Sequence, residues 1–269
     1  MNSNQNDRPV SARLSVKAFI SKYIEFAIYV VMMVIFAYHA IEALAVMNGY
    51  TKLPEFAMFE QGIPDNRQLI LLQCVLGMVV IHVPPLLSKL FKFKLPFAFT
   101  FIFDVFLLSA IYLGEVQDFY WVVPHWDDVL HALSSVMICI FAFIFVFLLN
   151  RKKTTDVTQN ISPLFIALFA FCFTAMAGAF WEIYEFTFDF FDLNMQKYRF
   201  GNWEKTPRIG RDALFDTMKD IIVDTLGGLV TAIYGYISLI NKKGFIHECV
   251  LGGNTPKNVD PENPDQENE

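Results

Sequence analysis

Apolar runs about a helix-span long alternate with short polar stretches along this chain. Six of them, near residues 24–47, 68–88, 95–116, 129–150, 162–188 and 218–240, are long enough to cross about 30 Å of hydrocarbon as helices. The pattern predicts an all-α, polytopic membrane protein with about six transmembrane helices. The run from Val129 to Leu149 is the least interrupted, while the sixth begins with charged residues and becomes apolar only after Asp220. Pro84 and Pro85 predict an end or a kink in the second helix, because proline has no N–H for the helical ladder. The first run is too long for the apolar core of a signal peptide and reads as a retained span.

The flanks differ in kind. Residues 1–23 are polar and basic, carrying Arg8, Arg13, Lys17 and Lys22, and Leu14, Val16, Phe19, Ile20 and Tyr23 predict an amphipathic helix lying on the membrane surface. Residues 24–243 form the membrane domain. Residues 244–269 are rich in Gly, Asn, Pro, Asp and Glu and predict a disordered acidic cytoplasmic tail. Basic residues precede the first helix and recur at Lys89, Lys92 and Lys94, at Arg151, Lys152 and Lys153, and at Lys242 and Lys243. By the positive-inside rule both the N-terminus and the C-terminus are cytoplasmic. The 192–211 segment goes against the trend, being expected outside yet carrying Lys197, Arg199, Lys205, Arg208 and Arg211. Asn160-Ile161-Ser162 fits a glycosylation sequon, and its expected cytoplasmic placement argues against use.

Composition agrees with the pattern: 55% hydrophobic, 16% aromatic and only 18% charged residues place the chain in a bacterial plasma membrane, among membrane lipids. The net charge of −6 comes in large part from the acidic tail, and no basic stripe points to nucleic acid. Cys74, Cys139 and Cys172 lie inside apolar runs, with no CxxC pair, and read as packed thiols.

Charged residues within the apolar runs carry the chemistry. At the start of the fourth helix stand Asp127, Asp128 and His131, at i,i+4 and i,i+3 spacing on one face. Near the end of the fifth stand Glu182 and Glu185, where two like charges at i,i+3 need a cation or a shared proton. Asp216, Asp220 and Asp224 stripe the sixth at i, i+4 and i+8. With the predicted topology all three clusters fall at the outer ends of their helices. Bland alternatives exist for each: an aspartate capping the fourth helix, glutamates reaching headgroups, and an ion-pair network around Lys219. Ionisable side chains inside a bilayer are expensive, and three convergent clusters predict a site.

Such a site has several possible chemistries. Asp127, His131, Glu182, Asp216 and Asp220 suit a divalent cation. Asp128, His131, Glu182, Glu185, Asp220 and Asp224 are candidate ligands or acid–base groups for a lipid or cell-envelope headgroup substrate. The leading expectation is a headgroup enzyme, with a proton- or cation-coupled transporter and a structural or regulatory membrane partner as alternatives. A transporter would need a polar track from the outer clusters past Asp104 to His82.

The motifs Trp126-Asp127-Asp128-Val129-Leu130-His131, Trp181-Glu182-Ile183-Tyr184-Glu185 and Asp216 through Gly228 resemble the YjdF-type bacterial inner-membrane proteins over roughly residues 95–240. That resemblance implies a multi-pass membrane protein and no activity. A looser similarity runs to VanZ-like membrane proteins, through Asp127 with His131, Glu182 with Glu185, and Asp220. Asp224 departs from that pattern, which usually has Asn there, and Glu185 stands where Gln is frequent. The looser similarity implies a role at the cell envelope.

Overall fold

A computed structural model describes residues 10–50, 67–93, 95–150, 161–191, 195 and 210–246, with side chains described from Tyr23 onward except those of Asn150 and Ala213. The described residues form helices α1 (Val10–Met47), α2 (Arg67–Val80), α3 (Val83–Phe91), α4 (Phe97–Leu107), α5 (Phe119–Val122), α6 (Trp126–Asn150), α7 (Pro163–Asp189) and α8 (Arg211–Asn241), with no strand among them. A π-helix, Leu108–Val116, continues α4 without a break. Six stretches are long and apolar enough to span a membrane: Tyr23–Met47, Arg67–Phe91, Phe97–Val116, Trp126–Leu149, Pro163–Asp189 and Leu214–Asn241. The acidic tail beyond Ile246, the side chains of the basic N-terminal segment before Tyr23, Asn160 of the sequon, and most of the basic 192–211 segment lie outside the described residues.

Local chemistry sets the helix ends. Ser162 caps α7, its Oγ accepting from the Phe165 N–H at 3.2 Å, and Pro163 takes the first helical position, where no N–H is needed. In the second span Pro84 and Pro85 have no N–H to give the carbonyls of Val80 and Ile81. The ladder therefore stops at Val80, and α3 restarts at Val83 with proline in its first turn. The expected interruption is thus a full break between two helices.

α6, α7 and α8 pack on one another, and α1 packs on α2 and α4. Small residues let the first trio approach closely, as van der Waals packing between membrane helices requires. A Cβ on Gly228 would meet Thr174 Cγ2 at 2.9 Å, and one on Gly235 would enter the Phe143 ring. Two apolar clusters result: Met137, Phe143, Ile144 and Ala170 in the α6–α8 half, and Met32, Phe36, Cys74 and Ile111 in the α1–α2 half.

The surface is as informative as the core. Phe26, Val34, Ile41, Val79, Leu86 and Phe180 are exposed on the outsides of these helices. On α7, Ile183 is 57% exposed while its neighbour Glu182 is 3% exposed. Apolar residues out and carboxylates in is the order expected where the solvent is lipid. The chain is a multi-pass membrane protein.

Candidate functional site

The N-terminal end of α6, the C-terminal end of α7 and the N-terminal end of α8 lie at one end of the bundle, and the three acidic clusters meet there. His131, Glu182, Glu185, Asp216, Asp220 and Asp224 are all buried. The i, i+4, i+8 spacing on α8 thus holds its aspartates on the packed face, while Ile222 and Leu226 take the outer one.

His131 is the centre of the inner group. Its Nδ1 lies 3.1 Å from Asp224 Oδ2, so the ring N–H donates across the α6–α8 contact. Its Nε2 then faces Asp127 Oδ1 at 3.9 Å and Glu182 Oε1 at 3.8 Å. Asp127, His131 and Asp220 each offer a ligand atom, and these atoms lie within 4.8 Å of one another. Asp220 Oδ1 and Asp224 Oδ1 are buried and accept no hydrogen bond from any described residue. Asp224 fits here because α7 carries no side chain opposite: a Cβ on Gly178 would stand 2.5 Å from Asp224 Oδ2.

The outer group gathers on Lys219. Its Nζ lies 2.7 Å from Asp128 Oδ1, 3.6 Å from Asp216 Oδ1 and 3.9 Å from Asp220 Oδ1. Asp128 Oδ2 also accepts from His125 Nδ1 at 2.8 Å. The ion-pair network weighed for α8 therefore describes Asp128 and Asp216, and Asp220 joins it to the histidine group. Arg211 is exposed, and Arg208 lies outside the described residues. Glu185 turns elsewhere, accepting from Trp181 Nε1 at 3.0 Å.

Beside the cluster lies a cavity of about 230 Å³. Leu76, Val80, Phe106, Ile111, Leu130 and Met137 supply apolar walls, and Asp127, His131, Glu185 and Asp224 border it. Tyr120 and Trp181 line this cavity, and Phe119 packs edge-on against Trp126 at 5.0 Å. A Cβ on Gly114 would enter the Tyr120 ring, which is how α5 folds back against the π-helix.

A family model described as predicted membrane protein (DUF2238) matches residues 24–241. The chain belongs to this DUF2238 family. The match runs from the first span to the end of α8, so it contains every member of the cluster. A curated relative, an uncharacterized protein of Thermotoga maritima, is 32% identical over 126 residues, 46% of this chain and 53% of that protein. The chain thus aligns with about half the length of that relative. No solved structure matches. The DUF2238 assignment agrees with the YjdF-type resemblance, and neither match carries the VanZ-like one.

Several polar residues in this DUF2238 chain gave no sequence signal. Gln73 is a single amide in an apolar run, yet it is buried and lines the cavity. Asp189, one turn past Glu185, is fully buried and accepts from the Met195 backbone N–H. Gly178 is invisible until Asp224 is seen opposite it. Asp104 and His82 are not brought to the cluster: Asp104 faces Glu25, whose Oε1 accepts from Thr100 Oγ1 at 3.1 Å, and the His82 ring stands 5.5 Å from that of Tyr29. His39 and Glu42 form their own pair on α1 at 2.9 Å.

Proposed function

We propose that this protein is a divalent-cation-dependent enzyme acting on the headgroup of a membrane lipid or envelope precursor, with its site open to the outer face. The observation that carries the reading is the orientation of His131. With Nδ1–H donated to Asp224, Nε2 is the ring nitrogen left facing Asp127 and Glu182, and on binding a cation it would present its lone pair to the site that His131 shares with Asp127 and Asp220. A carboxylate fixing the far nitrogen of a metal-binding histidine is a recurrent arrangement. The two carboxylates and one imidazole form a hard-to-borderline donor set, and the buried Asp220 Oδ1 accepts no hydrogen bond from a described residue.

A bound divalent cation would polarise the scissile ester and lower the pKa of an attacking water. The chain's own residues have separable roles around that centre. Asp127, His131 and Asp220 would hold a divalent ion. Asp224 orients His131, and Lys219 balances the charge of Asp128, Asp216 and Asp220. Glu182, 3.8 Å from His131 Nε2, accepts a proton from the attacking water as its oxygen bonds to the ester centre, and gives the proton to the leaving oxygen as the bond between that oxygen and the ester centre breaks. The apolar cavity alongside supports an amphiphilic substrate. The separation of Asp104 and His82 from the cluster supports headgroup chemistry over a proton path.

The test is headgroup release in proteoliposomes containing labelled phosphatidylethanolamine, phosphatidylglycerol or a polyprenyl pyrophosphate. The reading expects release from one of them, stopped by EDTA, restored by a divalent ion and absent in Asp220→Asn. No release from any, or release that survives Asp220→Asn, contradicts it.

A further inference from the structure

The cavity beside the cluster is lined by an amide, Gln73, that makes no hydrogen bond to any described residue. The serine and threonine hydroxyls that line it donate within their own helices: Ser134 Oγ to His131 O at 2.9 Å, Ser135 Oγ to Ala132 O at 2.9 Å, and Thr174 Oγ1 to Ala170 O at 2.8 Å. Gln73 differs. It is only 7% exposed, it lines the cavity from α2, and it makes no hydrogen bond to any described residue. A primary amide carries two N–H donors and one carbonyl acceptor. The amide atoms of Gln73 are not sealed from solvent, so its donors and its acceptor are open to whatever occupies the cavity that it lines.

The walls limit what that ligand is. Gln73 lies in the first half of α2 and His131 in the first turns of α6, and both line the cavity. The remaining walls are largely Leu, Val, Ile, Phe and Met side chains. At about 230 Å³ the space is smaller than a site enclosing a whole drug-sized molecule, roughly 300–1,000 Å³, so it takes part of one. Asp127, Glu185 and Asp224 on its border disfavour an anionic group. A neutral dipole with both donor and acceptor capacity is what an amide complements.

We propose that Gln73 is a substrate-binding residue that hydrogen-bonds the neutral ester, amide or hydroxyl of a single-chain amphiphile whose apolar chain occupies this cavity. This deepens the headgroup reading and rests on it for one feature, the direction of the headgroup toward His131. The amphiphile's linkage group meets Gln73, its chain runs along Leu76, Met137 and Ile138, and its polar end projects into the acid–histidine cluster.

The experiment is photo-crosslinking of the full-length protein in lipid nanodiscs, in EDTA, with a monoacylglycerol bearing a diazirine in a twelve-carbon chain. Peptide mapping should place the label on cavity-lining residues of α2, α6 and α7. Monolauroylglycerol should compete and laurate should not. Gln73→Leu, which keeps the size and removes the amide, should lower the cavity label about three- to tenfold, the loss of one or two neutral hydrogen bonds. Ala177→Phe, which pushes a ring into the cavity, should lower it further.

Label confined to lipid-facing positions such as Phe180 and Ile183, equal cavity label in Gln73→Leu, or competition by laurate as good as by monolauroylglycerol would each overturn the assignment. Because the measurement is made without metal, it separates the two readings. Gln73-dependent cavity label without headgroup activity sinks the catalytic reading alone. Headgroup activity without cavity label sinks the binding role of Gln73 alone.

Discussion

His131 and Asp224 meet across the α6–α8 contact, Nδ1 to Oδ2 at 3.1 Å, although they stand 93 positions apart in the chain. The pair fixes which nitrogen of the ring is committed and which is available, and so decides what the cluster can bind. Asp224→Asn preserves shape but removes the charge that holds the ring. It should weaken divalent-cation binding about 10- to 100-fold, the usual effect of losing the group that orients a metal-binding histidine. His131→Ala should abolish binding. Titration calorimetry on detergent-purified protein with unchanged helical circular dichroism checks both, and equal affinity in Asp224→Asn and wild type would sink the orienting role.

Gly178 and Asp224 are coupled through space. A Cβ at 178 would stand 2.5 Å from Asp224 Oδ2, so Gly178→Ala must turn the carboxylate away from His131. Cation affinity should fall, while the double variant Gly178→Ala/Asp224→Asn should bind no more than about threefold more weakly than Asp224→Asn, since both act through one contact. Additive losses would mean that Gly178 acts by some other route.

Lys219 neutralises Asp128, Asp216 and Asp220 at 2.7, 3.6 and 3.9 Å. Lys219→Met leaves three carboxylates close together on a half-buried surface and should destabilise the fold by roughly 1–3 kcal/mol. The sign of its pH dependence follows from repulsion. Protonating the carboxylates relieves it, so the deficit relative to wild type should shrink as pH falls and grow as pH rises. Thermal unfolding in detergent across pH 5 to 8 measures it; a deficit independent of pH would contradict the electrostatic account.

Much of this was readable in the sequence because membrane helices are read by length and hydropathy. The apolar runs matched the spans to within a few residues, and of the end or kink expected at Pro84-Pro85 the structure has the end, with a second helix starting at Val83. The aspartate stripe on α8 was readable because periodicity reports which face is packed. Gln73 and Asp189 were not, because a single polar residue carries no period and its meaning depends on what stands opposite. The π-helix at Leu108–Val116 was equally hidden, since its sequence is apolar throughout and its wider winding is set by packing against α2 and Tyr120.

Asp104 and His82 lie apart from the cluster, and neither is among the described residues lining the cavity. Asp104→Asn and His82→Ala should therefore leave cation affinity at the cluster within about twofold of wild type, as expected for distant, independent sites. A loss in either variant as large as that in Asp127→Asn would revive a continuous polar track and the transporter reading.

The most direct measurement is metal content, by mass spectrometry, of detergent-purified wild type, Asp220→Asn and His131→Ala after exposure to Mg, Mn, Ca and Zn. The cluster as described predicts near-stoichiometric divalent metal in wild type, lost in both folded variants and released on acidification, because the ligands bind only when deprotonated. Metal-free protein in all three samples, or equal metal in wild type and Asp220→Asn, would contradict it.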